Sequence, residues 1–142
     1  MIFRLLSILL LCSFFFAGCS KGGPSTESPS SGRIQIVATT GMVADIVRNV
    51  AGDKAEVTGL IGEGVDPHLY KPTRADVARL TEADAIFYSG LLLEGKMSEV
   101  LENLAKDKPV HAVTDQIDKQ YLLEPPEFEG HPDPHLLSLI HI

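Results

Sequence analysis

A chain of 142 residues with 44% hydrophobic side chains has material for one modest core, so a single folded domain is the ceiling. Twelve basic against nineteen acidic residues give a formal charge of −7, which leaves no cationic surface to release counterions from a phosphate backbone and sets nucleic-acid binding aside. The acidic balance suits a cationic ligand.

Arg4 precedes an apolar run from Leu5 to Ala17 that ends in Ala17-Gly18-Cys19. That run is shorter than the roughly 20 residues of a bilayer-crossing helix, so residues 1–18 read as a signal peptide. The Ala-Gly-Cys ending resembles a bacterial lipobox, departing from the usual pattern at Phe16, and implies lipidation of Cys19. With Cys12 lost in the leader and Cys19 acylated, no thiol or disulfide is left, and Cys/His zinc-finger chemistry is excluded. Loss of the leader removes Arg4 and no acid, which brings the net charge to −8. After the lipidated cysteine, residues to Gly32 include no large apolar side chain and read as a flexible tether. Such a tether keeps a domain concentrated near a membrane partner.

Residues 33–136 read as one folded lobe. Ile34, Ile36 and Val37 predict a first strand, and Met42, Val43, Ile46, Val47 and Val50 recur at helical spacing up to a stop at Gly52. A second strand is expected over Ala55–Leu60, followed by a Gly-, Asp- and Pro-rich loop from Ile61 to Pro72. Thr73 and Asp76 form a capping box for a helix through Val77 and Leu80. Asp84 to Tyr88 has the bulky composition of a buried strand. Met97, Val100, Leu101 and Leu104 mark a further helix, with Glu102 and Lys106 as an i,i+4 pair, and Val110 to Val113 a fourth strand. The alternation predicts an α/β lobe with a four-stranded parallel sheet flanked by helices. Beyond Thr114 an acidic, proline-containing stretch reads as a surface loop.

Two short motifs share one design, Asp66-Pro67-His68 and Asp133-Pro134-His135. Proline fixes its own φ and holds the preceding residue out of the helical region, which gives each histidine a stiff approach. A neutral imidazole donates a nitrogen lone pair to a divalent ion, and a nearby carboxylate orients the ring. The first motif follows a predicted strand at its carboxyl end, where open α/β sheets bind ligands. Taken alone, such a motif is weak and more often marks a solvated turn.

Val65-Asp-Pro-His-Leu-Tyr-Lys-Pro-Thr-Arg-Ala-Asp-Val77, Ala83-Asp-Ala-Ile-Phe-Tyr88 and Glu129-Gly-His-Pro-Asp-Pro-His135 resemble, in order and spacing, the zinc/manganese solute-binding lipoproteins of ABC importers. The resemblance implies the N-terminal half of a two-lobed protein, metal ligation by His68 and His135, and a third ligand (His or Glu) and a fourth (Asp) from a second lobe that is missing here. It also implies an extracytoplasmic, lipid-anchored or periplasmic location and delivery of the ion to a membrane permease. Residues 137–142, Leu-Ser-Leu-Ile-His-Ile, depart from the family and match the translation of a transposase end, so this tail, with His141, reads as non-native. His131 is an accessory-ligand candidate, His111 a packed or edge residue of the fourth strand, and Tyr70 and Asp76 have structural roles in the first motif.

No His-Glu-x-x-His helix and no serine nucleophile elbow is present, which argues against the rival reading of a metal-dependent hydrolase. An adhesion lipoprotein is the other rival. The stretch from Thr114 to Gly130 lacks the histidines often carried by zinc-specific relatives, which tilts the expectation towards manganese or a mixed-specificity protein.

Overall fold

Strands and helices alternate along residues 32–139, the part of the chain described by the computed structural model. β1 (Ile34–Ala38) is a central strand, and the two-residue period sends Ile36 and Ala38 to one face and Val37 to the other. α1 (Gly41–Ala51) starts at Thr40, whose Oγ1 accepts from Val43 N at 3.4 Å. It stops where Gly52 turns to φ +54° and donates its N–H to Arg48 O. The inner side of α1, Val43, Ala44 and Val47, packs on Ile36, Ala38 and Ala55.

β2 (Ala55–Gly59) is an edge strand, and Arg48 reaches it from α1, donating from Nε and Nη2 to Val57 O at 3.3 and 3.2 Å. α2 (Arg74–Glu82) opens in the expected capping box, and β3 (Ala85–Tyr88) leads through a 3₁₀ turn, Gly95–Met97, into α3 (Ser98–Leu104) and then β4 (Val110–Ala112). Leu80, Met97 and Leu101 fill the sheet's other face against Val37 and Ile86. Leu80, Ile86 and Met97 are fully inaccessible, and such burial contributes about 1.5–3 kcal/mol per side chain. Lys108 ties this layer together: its Nζ donates to Leu80 O at 3.2 Å, Ala83 O at 2.6 Å and Thr81 O, which satisfies carbonyls at the end of α2.

The sheet is parallel throughout, in the order β2-β1-β3-β4, with Ile36 opposite Val57, Val37 opposite Ile86 and Phe87 opposite His111. The α/β class and the four parallel strands therefore stand as the sequence pattern predicts. Because the chain leaves β1 for β2 on one side and returns past it to β3 on the other, a topological switch lies between β1 and β3. The loops at the carboxyl ends of the strands share one edge of the sheet.

Some local expectations differ: β2 ends at Gly59 rather than Leu60, and β3 begins at Ala85 rather than Asp84. α3 ends at Leu104, so Lys106 lies past the helix and its Nζ donates to Asn103 Oδ1 at 2.9 Å instead of pairing with Glu102. β4 closes at Ala112, although Val113 N still donates to Tyr88 O at 2.9 Å. His111 is exposed on β4 with its ring 5.5 Å from that of Phe87. Beyond Thr114 the chain makes 3₁₀ turns at Lys119–Tyr121 and Pro126–Phe128, and Asp133 N returns to Leu123 O at 2.8 Å. A short helix, α4 (Leu136–Leu139), then places Leu137 against the cluster of Ile36, Ala38 and Val43 on the α1 side of the sheet. The leader, Cys19, the tether before Gly32 and His141 lie outside the described residues. Among the described residues no helix is long and apolar enough to cross a membrane.

Candidate metal centre

Both Asp-Pro-His motifs fold the same way. Asp66 Oδ1 accepts from His68 N at 2.9 Å, and Asp133 Oδ1 accepts from His135 N at 2.9 Å. Each carboxylate bonds the backbone two residues on, an Asx turn that proline stiffens from within. The first motif sits in the loop between β2 and α2, and its upstream end is held where Ile61 N donates to Thr39 O at 2.8 Å. In the second, Pro134 is buried, and half-buried Leu137 just beyond it packs against the core.

These two loops, 67 residues apart in sequence, bring the rings of His68 and His135 together. The Nε2 atoms are 3.2 Å apart, the ring centroids 5.2 Å, and the planes meet at 62°. His135 Nδ1 lies 2.9 Å from Asp133 Oδ1. The Asp133 carboxyl is held below its usual range, chiefly by the backbone N–H of His135, with partial burial opposing and the imidazole adding to the effect. An ionised carboxylate only accepts hydrogen bonds, so a neutral His135 that donates Nδ1–H to Asp133 presents a lone pair at Nε2. A lone pair aimed at a second imidazole nitrogen 3.2 Å away calls for a proton or a cation between them. Two nitrogens bound at 2.0–2.1 Å to one tetrahedral ion stand about 3.3 Å apart. The donor set thus fits a shared cation without movement of either loop.

His131 is exposed, with its N–H donated to Phe128 O at 2.9 Å. Among the described residues no third His, Cys, Asp or Glu completes a cluster able to hold a metal ion, so the paired histidines stand as two donors.

The switch between β1 and β3 is occupied by a residue that sequence reading passes over. Glu94 is 2% exposed, and its Oε1 accepts from Thr39 Oγ1 at 2.6 Å and Ser89 N at 2.8 Å, while Oε2 accepts from Gly90 N at 3.3 Å. Gly90 allows this turn: at φ +92°, a Cβ would strike Thr114 Oγ1, which donates to Ser89 O at 2.8 Å. A cleft of about 240 Å³ opens beside it, lined by Tyr88, Glu94, Glu102 and Asp115, and neither His68 nor His135 lines it. Burial raises the Tyr88 hydroxyl above its ordinary range, and the charges of Asp115, Glu94 and Glu102 add to this. The signal in sequence was a lone glutamate in the apolar context Leu91-Leu92-Leu93-Glu94.

Comparison with known proteins shows the family. The model of the family described as ZnuA, zinc-uptake complex component A periplasmic, matches residues 36–138. The chain belongs to this family. Among its relatives, the manganese-binding lipoprotein MntA of Bacillus subtilis is 41% identical over 133 residues, covering 93% of this chain and 42% of that protein. The zinc-binding protein TroA of Treponema pallidum is 43% identical over 109 residues, 75% of this chain and 35% of the relative. The solved structure of the Treponema pallidum protein superposes with a TM-score of 0.69 at 44% identity, over 74% of this chain and 37% of that one. A manganese-bound periplasmic metal-binding protein from Candidatus Liberibacter asiaticus gives a TM-score of 0.62 at 32% identity, over 72% and 38% of the two chains. The chain therefore spans about two fifths of the length of the family members it matches. The Bacillus subtilis and Treponema pallidum relatives are named as metal-binding proteins.

Proposed function

We propose that the chain is the amino-terminal lobe of an extracytoplasmic solute-binding protein that captures a divalent transition metal, zinc or manganese, and delivers it to an ABC importer. The observation that carries the reading is the convergence of His68 Nε2 and His135 Nε2 at the sheet edge where the strands end. The metal is cargo. Two imidazoles hold it from one side, Asp133 keeps His135 in the ligating tautomer, and the remaining coordination positions go to water or to donors beyond these residues. Capture and release involve no covalent step, so the reading includes no enzymatic activity.

The same reading assigns residues 1–18 to a leader, Cys19 to the lipid anchor, 19–32 to the tether and 137–142 to a foreign tail. Relatives named for manganese and for zinc support either metal as cargo. Isothermal titration of the chain with Zn²⁺ and Mn²⁺ tests the proposal: a single site that disappears in both His68→Ala and His135→Ala is the expected result. Binding indifferent to both substitutions overturns it.

A further inference from the structure

Apart from the contact of the His68 ring with His135, the segment carrying His68 is attached to the lobe at two points. Upstream is the bond of Ile61 to Thr39; downstream is Tyr70. Between them the backbone N–H groups bond locally, Val65 N to Gly62 O at 3.3 Å, His68 N to Asp66 Oδ1 at 2.9 Å and Leu69 N to Asp66 O at 3.2 Å, while the His68 ring meets His135 through its Nε2. Gly62 to Asp66 and Leu69 are exposed. Local turns stiffen such a loop internally but do not fix its direction relative to the sheet.

Tyr70 supplies that direction. Its ring packs against the cluster of Leu60, Ile61 and Leu80, and its hydroxyl donates to Asp76 Oδ2 at 2.7 Å. Asp76 is 4% exposed and already accepts from Thr73 N at 2.8 Å and Thr73 Oγ1 at 2.7 Å on the same oxygen, while Arg79 Nη1 stands 3.5 Å from the other. A helix cap needs Thr73 and Asp76 alone. The third donor, from a residue before the helix, converts the cap into an anchorage for the loop. With consecutive Cα atoms 3.8 Å apart, Tyr70 holds the chain within about 7 Å of the His68 backbone.

We propose that Tyr70 and Asp76 form a latch that positions His68 opposite His135. Tyr70 is a positioning residue: it acts on the ligand through two residues of chain. The inference rests on the metal-capture reading for its consequence, although the placement of the ring is a property of the lobe itself.

The test compares Tyr70→Phe with Thr73→Ala in the full chain. Tyr70→Phe keeps the packed ring and removes only the hydroxyl, whereas Thr73→Ala weakens the cap and leaves the Tyr70 bond in place. Two readouts separate the claims. In the metal-free chain, nuclear Overhauser contacts between the His68 and His135 rings should weaken in Tyr70→Phe and persist in Thr73→Ala, while thermal stability falls more in Thr73→Ala. Zinc affinity should fall on the order of 10-fold in Tyr70→Phe, the scale of outer-shell substitutions around metal sites. Ring contacts in Tyr70→Phe equal to those of the parent overturn the latch, whatever zinc does. Weakened ring contacts with zinc binding unaffected by His68→Ala leave the latch standing and remove the metal reading instead.

Discussion

His68 Nε2 and His135 Nε2 lie 3.2 Å apart although 67 residues separate them, each delivered by an Asp-Pro-His turn of the same construction. On the proposed reading the pair chelates one ion, so the loss of one donor should cost nearly as much as the loss of both. His68→Ala, His135→Ala and the double variant should therefore show similar, nearly abolished zinc binding by calorimetry, with strong non-additivity in the cycle. Independent, additive losses would mean that the two rings do not share an ion. Because the described residues offer two donors where a closed site uses four, the chain should also bind zinc far more weakly than a full-length relative.

Asp133 is the orienting group of the pair. Removing it in Asp133→Ala frees the His135 ring to rotate and lets the proton sit on either nitrogen, with both ligand nitrogens retained. Affinity should fall by about 10–100-fold. The thermal midpoint should shift by no more than about 4–8 °C, the equivalent of about 1 kcal/mol. Titration calorimetry beside a melting curve checks both numbers, and unchanged affinity would mean that Asp133 does not set the tautomer.

The fold and the two Asp-Pro-His turns were legible in the sequence for a physical reason: both are written in short-range terms. Helical and strand periods mark α1, β1 and β3 directly, Gly52 marks a stop, and Thr73 with Asp76 marks a start. Proline in each Asp-Pro-His motif restricts local backbone, so the turns can be read without knowing the rest. Glu94 was not legible. Its three donors come from Thr39, Ser89 and Gly90, and Thr39 lies 55 residues away and is neighbouring only because β1 and β3 are adjacent. The Tyr70 bond was hidden for a related reason: the capping-box pattern explains Asp76 completely, so nothing in the string calls for a further donor.

Asp76 makes stability depend on pH in a defined direction. Burial alone would raise its carboxyl, but hydrogen bonds from the Thr73 side chain and backbone and from Tyr70, with the charge of Arg79, outweigh burial and leave it below the ordinary 3.8. A group held lower in the folded state stabilises the fold above its unfolded value, and that stabilisation is lost as pH falls through the folded value. Below pH 4, then, the parent chain should lose stability more steeply than Asp76→Asn, while at neutral pH the variant should be less stable by about 1–3 kcal/mol. Urea unfolding at several pH values checks this; parallel acid limbs would show that Asp76 carries no linked proton.

Glu94 provides the corresponding test of the sheet's switch point. As a carboxylate it accepts three hydrogen bonds in a site with almost no water. In Glu94→Gln one acceptor oxygen becomes an NH₂ group, so donors of Thr39, Ser89 or Gly90 face another donor. The expected cost is about 1–3 kcal/mol, because a buried polar group loses its partner at nearly constant volume. Thr39→Val removes one donor instead and should cost about 1 kcal/mol. Since Thr39 Oγ1 and Glu94 Oε1 are direct partners at 2.6 Å, the double variant should cost less than the two singles together. Urea midpoints measured at unchanged slope report these values. Strict additivity, or a Glu94→Gln chain as stable as its parent, would mean that the carboxylate does not hold β1 to the loop that follows β3.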